Sequence, residues 1–450
     1  MAGEVNLQVT LIQNVVTANM QGPQKTYALI EARPMGAQIS AVQMPLNLSL
    51  VLDRSGSMKG QKIDSLRQAV HMLIDQLQPN DFISIVLFDD KVDVPLASMP
   101  AQNKQQLHDI ANGIVERGGT QMSLGLQKGL EETHRNYNPN DPNRIHKILL
   151  LTDGMSWGDD AQILQCAQQA GQSRIPIVAL GLGLPGQNAS AQGVVQGIGG
   201  GGDWNDVLLD QIAQASGGKS DLITAPQDIV KVFQSEVRSA QGSVVRNAQM
   251  LLRLSADVSA TQVWQVVPLI QSLGGRAITP REVQVTLGDI DKNTGQQILV
   301  ELVLPSKPPC RMRAAQAEVS YDVPLANVFG EKVRVDMIVE YGTASTPNPQ
   351  VANLVERVVA HNLQTRALQS AQSGNTGAAT QMLQAAATRL VNLGETDQAN
   401  LATQEAQNLQ QQGQMSSSGT KRLKYETRRF TQQLDPSSGN PTAPASQKTP

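Results

Sequence analysis

The sequence predicts an α/β protein: a doubly wound, mostly parallel sheet that is inserted in or followed by a β-sandwich, and then a short helical region. Three observations carry this. From Leu46 to about residue 238, apolar runs of strand length alternate with amphipathic helical segments. From about Gln241 to Tyr341 the helical period disappears, and short β runs return between Gly and Pro turns. From Val351 to Gln411 the chain is rich in Ala, Gln and Leu, as helices are. At 450 residues the chain exceeds the usual single domain, so two or three domains with a sizeable core are expected.

In residues 1–45, Val5, Leu7, Val9 and Leu11 alternate along one face, Gly22-Pro23 marks a turn, and Pro34 to Pro45 reads as a connection. These strands share the character of residues 239–345. They are expected to pair there, which makes residues 46–238 an insertion into a β-sandwich. Within 46–238, strands are expected at Leu46 to Leu52, Ile83 to Phe88, Ile148 to Leu151 and Ile175 to Leu182. Ile63, Leu66, Val70, Leu73, Ile74 and Leu77 recur at helical spacing, and further helices are expected at Met122 to His134, Asp160 to Ala170, Val207 to Ala215 and Pro226 to Val237. The β runs after that include Val283 to Leu287, Ile298 to Leu304 and Val333 to Val339. Residues 348–412 read as a helical hairpin region of about three helices, broken at Ser373-Gly374-Asn375 and Leu393-Gly394, a structural brace on the β unit. From 413 to 450, Ser, Gly, Pro and Thr suggest a flexible tail.

The chemistry concentrates at strand ends. Asp53-Arg54-Ser55-Gly56-Ser57 follows the apolar run Leu46 to Leu52 and gathers a carboxylate and two hydroxyls on one turn. Hard oxygen donors this close suit a small divalent cation such as Mg²⁺, which favours short oxygen ligands in octahedral geometry. Gly118-Gly119-Thr120 adds a third hydroxyl on a loop that can bend closely, and Ile148 to Gly154 is a buried-strand pattern ending in Asp153. Ligands of parallel sheets bind outside the carboxyl ends of the strands, where Asp53 and Asp153 both stand. A strand-terminal Asp followed by Ser also serves as a helix N-cap, but that reading leaves Thr120 and Asp153 unexplained.

This ordered set, Asp53-x-Ser55-x-Ser57, then Thr120, then Asp153, resembles the metal-ion-dependent adhesion site of von Willebrand factor type A domains, with every motif position filled. The resemblance is to the bacterial cytosolic type with an intact site. It implies a Rossmann-like domain, often set into a β-sandwich and followed by a helical hairpin. It also implies that Ser55, Ser57 and Thr120 contact Mg²⁺, or Mn²⁺, directly, while Asp53 and Asp153 act directly or through water. Three neutral hydroxyls leave the ion electron-poor, with a position open to an Asp or Glu of another protein. Met155 and Trp157, just beyond Asp153, are candidates for apolar contact beside it.

Other chemistries fit less well. Gly181 to Gly186 matches G-x-G-x-x-G, but it follows a late strand and leads into a polar, Gly-rich run to Gly202, read as a flexible insertion near the same sheet face. Ala213 to Ser220 resembles a phosphate loop, yet a helix precedes it, so Gly217-Gly218 reads as a helix C-terminal turn. A phosphatase with Asp53 as nucleophile needs a second Asp two residues on, and position 55 is Ser. An adaptor to an ATPase, as in chelatase-type complexes, is a further alternative. The five histidines, His71, His108, His134, His146 and His361, have no metal-ligand or triad spacing.

A net charge of -3 and 3% aromatic residues argue against nucleic acid as a partner. Cys166 and Cys310, far apart, point to a reducing compartment. The N-terminus lacks a signal-peptide pattern and no apolar stretch is long enough to span a membrane, so a cytoplasmic location is expected. The expectation is thus a non-enzymatic, metal-dependent interaction or scaffold protein that binds a partner carboxylate. In the basic stretch Lys421 to Thr431, Thr427 and Thr431 are candidates for phosphorylation and capture by a phosphothreonine-binding partner.

Overall fold

The computed structural model describes residues 4–35, 43–139, 141–154, 158–183 and 205–429. The chain forms two compact units, one of residues 43–242 and one of the segments before and after it.

The N-terminal segment supplies β1 (Val5–Leu11), β2 (Val15–Thr17) and β3 (Gln24–Pro34). The unit from 43 to 242 then runs β4 (Leu46–Asp53), a 3₁₀ turn (Gly56–Met58), α1 (Gln61–Gln76), β5 (Phe82–Phe88), β6 (Val92–Pro100), α2 (Lys104–Asn112) and α3 (Met122–His134). It continues with β7 (Ile145–Thr152), α4 (Asp160–Gln172), β8 (Ile177–Leu182), α5 (Asp206–Ser216), β9 (Lys219–Ile223) and α6 (Asp228–Gly242). Its sheet has the order β6-β5-β4-β7-β8-β9, parallel throughout except for the antiparallel β5–β6 pair.

Every residue of central β4 is buried: Leu46, Leu48, Leu50 and Leu52 line one face, while Asn47, Ser49 and Asp53 share the other with Val51. α1 covers the sheet with Ile63, Leu66, Ala69, Val70, Leu73 and Ile74, and each large side chain contributes roughly 1.5–3 kcal/mol by leaving water. α3 approaches more closely, because Gly125 and Gly129 share one face. A Cβ on Gly129 would lie 2.3 Å from Val51 Cγ2, and one on Gly125 would lie 2.8 Å from the Phe88 ring.

The second unit has two sheets. After α6 come β10 (Ser243–Leu254), β11 (Ser259–Val267), β12 (Gln271–Ser272), β13 (Arg276–Thr279), β14 (Glu282–Asp291), β15 (Gln296–Leu304), β16 (Cys310–Val323) and β17 (Val328–Gly342). The sheet orders are β1-β3-β15-β11-β12 and β13-β14-β10-β16-β17-β2. β3 pairs with both β1 and β15, and β2 pairs parallel with β17, so strands from both ends of the chain build these sheets and the α/β unit lies between them in sequence.

The helices α7 (Pro349–Gln372), α8 (Thr376–Asn392), α9 (Thr396–Gln412) and α10 (Ser417–Glu426) follow. Val351, Leu354, Val355 and Val358 of α7 pack with Leu29, Val266, Ile270 and Leu299 of the five-stranded sheet. Residues 348–412 form three helices that break where expected, at 373–375 and 393–395. One expectation needs correcting. The tail does not begin at 413, because α10 is ordered by Leu423, buried against Leu383, Leu401 and Leu409, and by buried Tyr425. Its start is held by Glu405, whose carboxylate accepts from the Ser416 amide at 2.7 Å and hydroxyl at 2.6 Å. A polar composition hid this helix, since two buried side chains and one cap carry it. The remainder of the expected tail lies outside the described residues.

Three further elements lacked a clear pattern. β6 carries Pro95 and Asp93, which an edge strand tolerates and a central one does not. α2 buries only Leu107 and Ala111. β9 is five residues long and begins immediately after the α5 cap, where Gly217 takes the left-handed conformation (φ 72°) and the Gly218 amide donates to Ala213 O at 2.8 Å. The phosphate-loop look of this segment is therefore a helix terminus.

Candidate metal centre

The five oxygen-bearing residues converge at the carboxyl edge of the parallel sheet. β4 delivers Asp53, fully buried, and the neighbouring β7 ends one residue before Asp153. The Ser55 amide donates to Asp53 Oδ1 at 2.8 Å, and the Thr152 hydroxyl donates to Asp53 Oδ2 at 2.6 Å. The Ser55 and Ser57 hydroxyls stand 2.9 Å apart, and Ser57 Oγ donates to Asp153 Oδ1 at 2.7 Å. Thr120 closes the set: a Cβ on Gly154 would lie 3.4 Å from Thr120 Oγ1 and 3.8 Å from Asp53 Oδ2. The Gly154 position thus lies in van der Waals reach of both the threonine and the first aspartate.

Two backbone features bring the loops together. The Gly56 amide donates to Gly118 O at 3.0 Å, which docks the Thr120 loop on the serine turn. Gly118 has φ +65° and its Cβ position would fall 2.1 Å from Asp90 Oδ1, so only glycine fits. The 3₁₀ turn is anchored from below by fully buried Met58.

The electrostatics single out Asp53. Asp153 Oδ2 is ion-paired with the Lys62 ammonium from the first turn of α1, which also donates to Ser57 O at 3.2 Å. Asp53 has no cation beside it among the described residues. Burial, reinforced by the Asp153 carboxylate and opposed by hydrogen bonds from Thr152 and Ser55, raises its pKa to about 6. The donor set is all oxygen, two carboxylates and three hydroxyls, and it fits a hard divalent cation. No group of three or more His, Cys, Asp or Glu suited to a metal occurs among the described residues.

Residues outside the motif brace it. Arg54, between Asp53 and Ser55, points away from the site and is buried; its Nε donates to Asp89 Oδ2 at 2.6 Å and its Nη2 pairs with Asp93. Arg117 donates from Nε to the same Asp89 oxygen at 3.0 Å, and its amide donates to Arg54 O at 2.6 Å. The Asp89 carbonyl accepts from the Gln121 amide at 2.6 Å, next to Thr120. Burial pushes the Asp89 carboxyl up, and hydrogen bonds from Arg117, the Lys91 amide and Arg54 outweigh it and hold it below the usual range. Sequence reasoning passed over Lys62, Arg54, Asp89 and Arg117. Only Arg54 carried a signal, a charged residue directly after an apolar strand.

The remaining expectations fall elsewhere. Met155, Trp157, the segment after Gly183 and Thr431 lie outside the described residues. Thr427 opens a 3₁₀ turn (Thr427–Arg429). His71 Nδ1 and His108 Nδ1 meet at 2.7 Å between α1 and α2, with Asn112 and Asp75 at their other nitrogens, as a packing contact of the two helices. Cys166 and Cys310 are both free thiols. No described helix is long and apolar enough to cross a membrane.

Residues 47–229 match the von Willebrand factor type A domain family, and residues 349–433 match the Sll0103-like, C-terminal alpha-helical domain family. The chain therefore carries a von Willebrand factor type A domain, a class that typically mediates protein–protein interaction, together with a C-terminal helical domain. It is similar to the uncharacterized protein sll0103 of Synechocystis sp. (strain ATCC 27184 / PCC 6803 / Kazusa), 25% identical over 351 residues that cover 76% of this chain and 78% of that one. It is also similar to inter-alpha-trypsin inhibitor heavy chain H1 of Homo sapiens, 30% identical over 148 residues, 31% of this chain and only 16% of that protein. In fold it resembles the solved structure of von Willebrand factor type A from Catenulispora acidiphila, with a TM-score of 0.67 at 16% identity, covering 94% of this chain and 96% of that one.

Proposed function

We propose that this protein is a metal-dependent interaction or scaffold protein, non-enzymatic, in which Asp53, Ser55, Ser57, Thr120 and Asp153 hold Mg²⁺ or Mn²⁺ and a partner protein adds a carboxylate. The observation that carries this reading is the Asp53 carboxylate: fully buried, beside a second buried carboxylate, and without a cation of its own among the described residues. Such a group is costly to fold around unless something positive joins it.

Ser55, Ser57 and Thr120 supply neutral donors, so the total ligand charge stays low. Asp53 is oriented by Thr152 and Ser55, and Asp153 by Ser57 and Lys62. The bound ion would supply an electrophilic position for an Asp or Glu side chain from outside. Gly56 and Ser57 are exposed and Thr120 is partly so, which leaves the site open on that side. Two free cysteines support work in a reducing, cytoplasmic compartment.

Calorimetry tests the metal. Mg²⁺ or Mn²⁺ is expected to bind the full chain, and Asp53→Ala and Ser55→Ala are expected to weaken binding at least tenfold. Equal binding by all three proteins overturns the assignment. A pull-down in Mg²⁺ against EDTA then identifies the partner, which should be retained only with the ion.

A further inference from the structure

Lys62 lies outside the metal-ligand motif, yet its ammonium reaches into the site. It stands at the second position of α1, and its side chain is 14% exposed. Its four-carbon stem brings Nζ onto Asp153 Oδ2 and within 3.2 Å of Ser57 O. It therefore touches two of the five residues that would hold the ion. A solvated surface lysine would leave this cleft for water, because fixing so long a side chain costs roughly 1.5–2 kcal/mol of rotamer entropy. What holds Lys62 is the Asp153 carboxylate, whose side chain is fully buried.

From this placement, and resting on the metal reading above, we infer that Lys62 is a built-in counter-cation of the site, which neutralises Asp153 in the metal-free protein and competes with the divalent ion for it. A +2 ion entering among Asp53, Ser55 and Ser57 meets a +1 charge already spent on the second carboxylate. The two cations repel, and the ion gains less from Asp153 than it would from a free carboxylate. Lys62 thereby sets the affinity lower than the donor set alone would allow and keeps the metal-free domain folded. Asp53 has no such partner and remains the ligand whose charge only the ion relieves.

The proposal is tested on the full chain with Lys62→Met, which keeps the length of the stem and removes the charge, and Lys62→Gln as a second variant should Met pack poorly. Mg²⁺ affinity is measured by calorimetry, and melting temperature in EDTA and in saturating Mg²⁺. Both variants are expected to bind Mg²⁺ at least tenfold more tightly than wild type. They should also melt lower than wild type in EDTA, with the gap closing when Mg²⁺ saturates. Variants that fold in Mg²⁺ and bind it as wild type does, or more weakly, overturn the role of Lys62 while leaving the metal site standing. If wild type binds no Mg²⁺ or Mn²⁺, the metal reading fails, and the counter-cation role falls with it.

Discussion

Replacing Asp89 with alanine tests whether the ion-pair network beneath the site positions it. The Asp89 side chain is fully buried and accepts from Arg54 Nε at 2.6 Å, Arg117 Nε at 3.0 Å and the Lys91 amide at 2.8 Å. Its loss leaves the Arg54 guanidinium, 7% exposed, with Asp93 alone, and Asp93 is 47% exposed. Removing one partner of a buried ion pair costs about 3–5 kcal/mol, and the retained Asp93 contact places Asp89→Ala at about 3. Arg117 is half exposed, so solvent screens its share and Arg54 dominates the loss. In a unit of this size, 3 kcal/mol is a fall of roughly 6–12 °C in melting temperature. Because Arg54 lies between Asp53 and Ser55, and the Asp89 carbonyl and the Arg117 amide clip the Thr120 loop, Mg²⁺ affinity should also fall, by about tenfold, as second-layer substitutions typically do. Urea unfolding and calorimetry are run beside Asp64→Ala, which removes only the exposed Asp64–Arg67 pair. An Asp89→Ala protein as stable as that control refutes the buried-pair argument. One that is destabilised but binds Mg²⁺ as wild type does refutes the positioning argument.

Gly129→Ala should lower urea stability by up to about 2 kcal/mol, the net of an overpacking cost of roughly 1–3 and a helix-propensity gain of about 1. Val51, whose Cγ2 would sit 2.3 Å from the new Cβ, is β-branched and stiff at χ1, so adding Val51→Ala should return part of the loss; a stabilised single variant contradicts the close approach of α3. His361 in α7 has its imidazole lowered by burial, and secondarily by Arg428, from 6.5 to about 4. The folded protein then binds fewer protons than the unfolded chain between these values, so this contribution is fully present above pH 6.5 and lost as pH falls toward 4, in total about 3 kcal/mol. Urea unfolding read from Trp264, whose ring meets His361 edge-on at 6.1 Å, should show that slope in wild type and a flatter one in His361→Gln; parallel slopes refute it.

Central strands were legible because both faces are buried: β4, β5, β7 and β8 are dense in Leu, Ile, Val and Phe, with few polar residues such as Asn47 and Ser49 between them. The loops of the candidate site were legible because small polar residues and glycines follow those runs at strand ends. What the one-dimensional pattern could not carry was pairing at a distance. Arg54 and Asp89 are 35 residues apart, and Lys62 and Asp153 are 91 apart; nothing local to either member announces the other. The same holds for elements whose stability comes from neighbours. β6 exists because β5 offers an edge to pair with, and α10 because α8 and α9 leave a pocket for Leu423.

The charges around the site explain why a domain would tolerate it. Asp89 is answered by Arg54 and Arg117, Asp153 by Lys62, and Glu236 on α6, also fully buried, by Lys147 and Lys219. These three have their cations within the fold, whereas Asp81, also fully buried, accepts from the Leu46 and Gln78 amides and the Gln241 side chain instead. Asp53 also lacks a cation among the described residues, and unlike Asp81 it faces a second carboxylate, Asp153; Thr152 and Ser55 orient it without cancelling its charge. A fold that neutralises Asp89, Asp153 and Glu236 could have neutralised this one with a second lysine. On the proposed metal reading, leaving it uncompensated destabilises the metal-free unit and reserves its charge for an outside cation, a cost that is tolerable where that cation is part of the protein's working state.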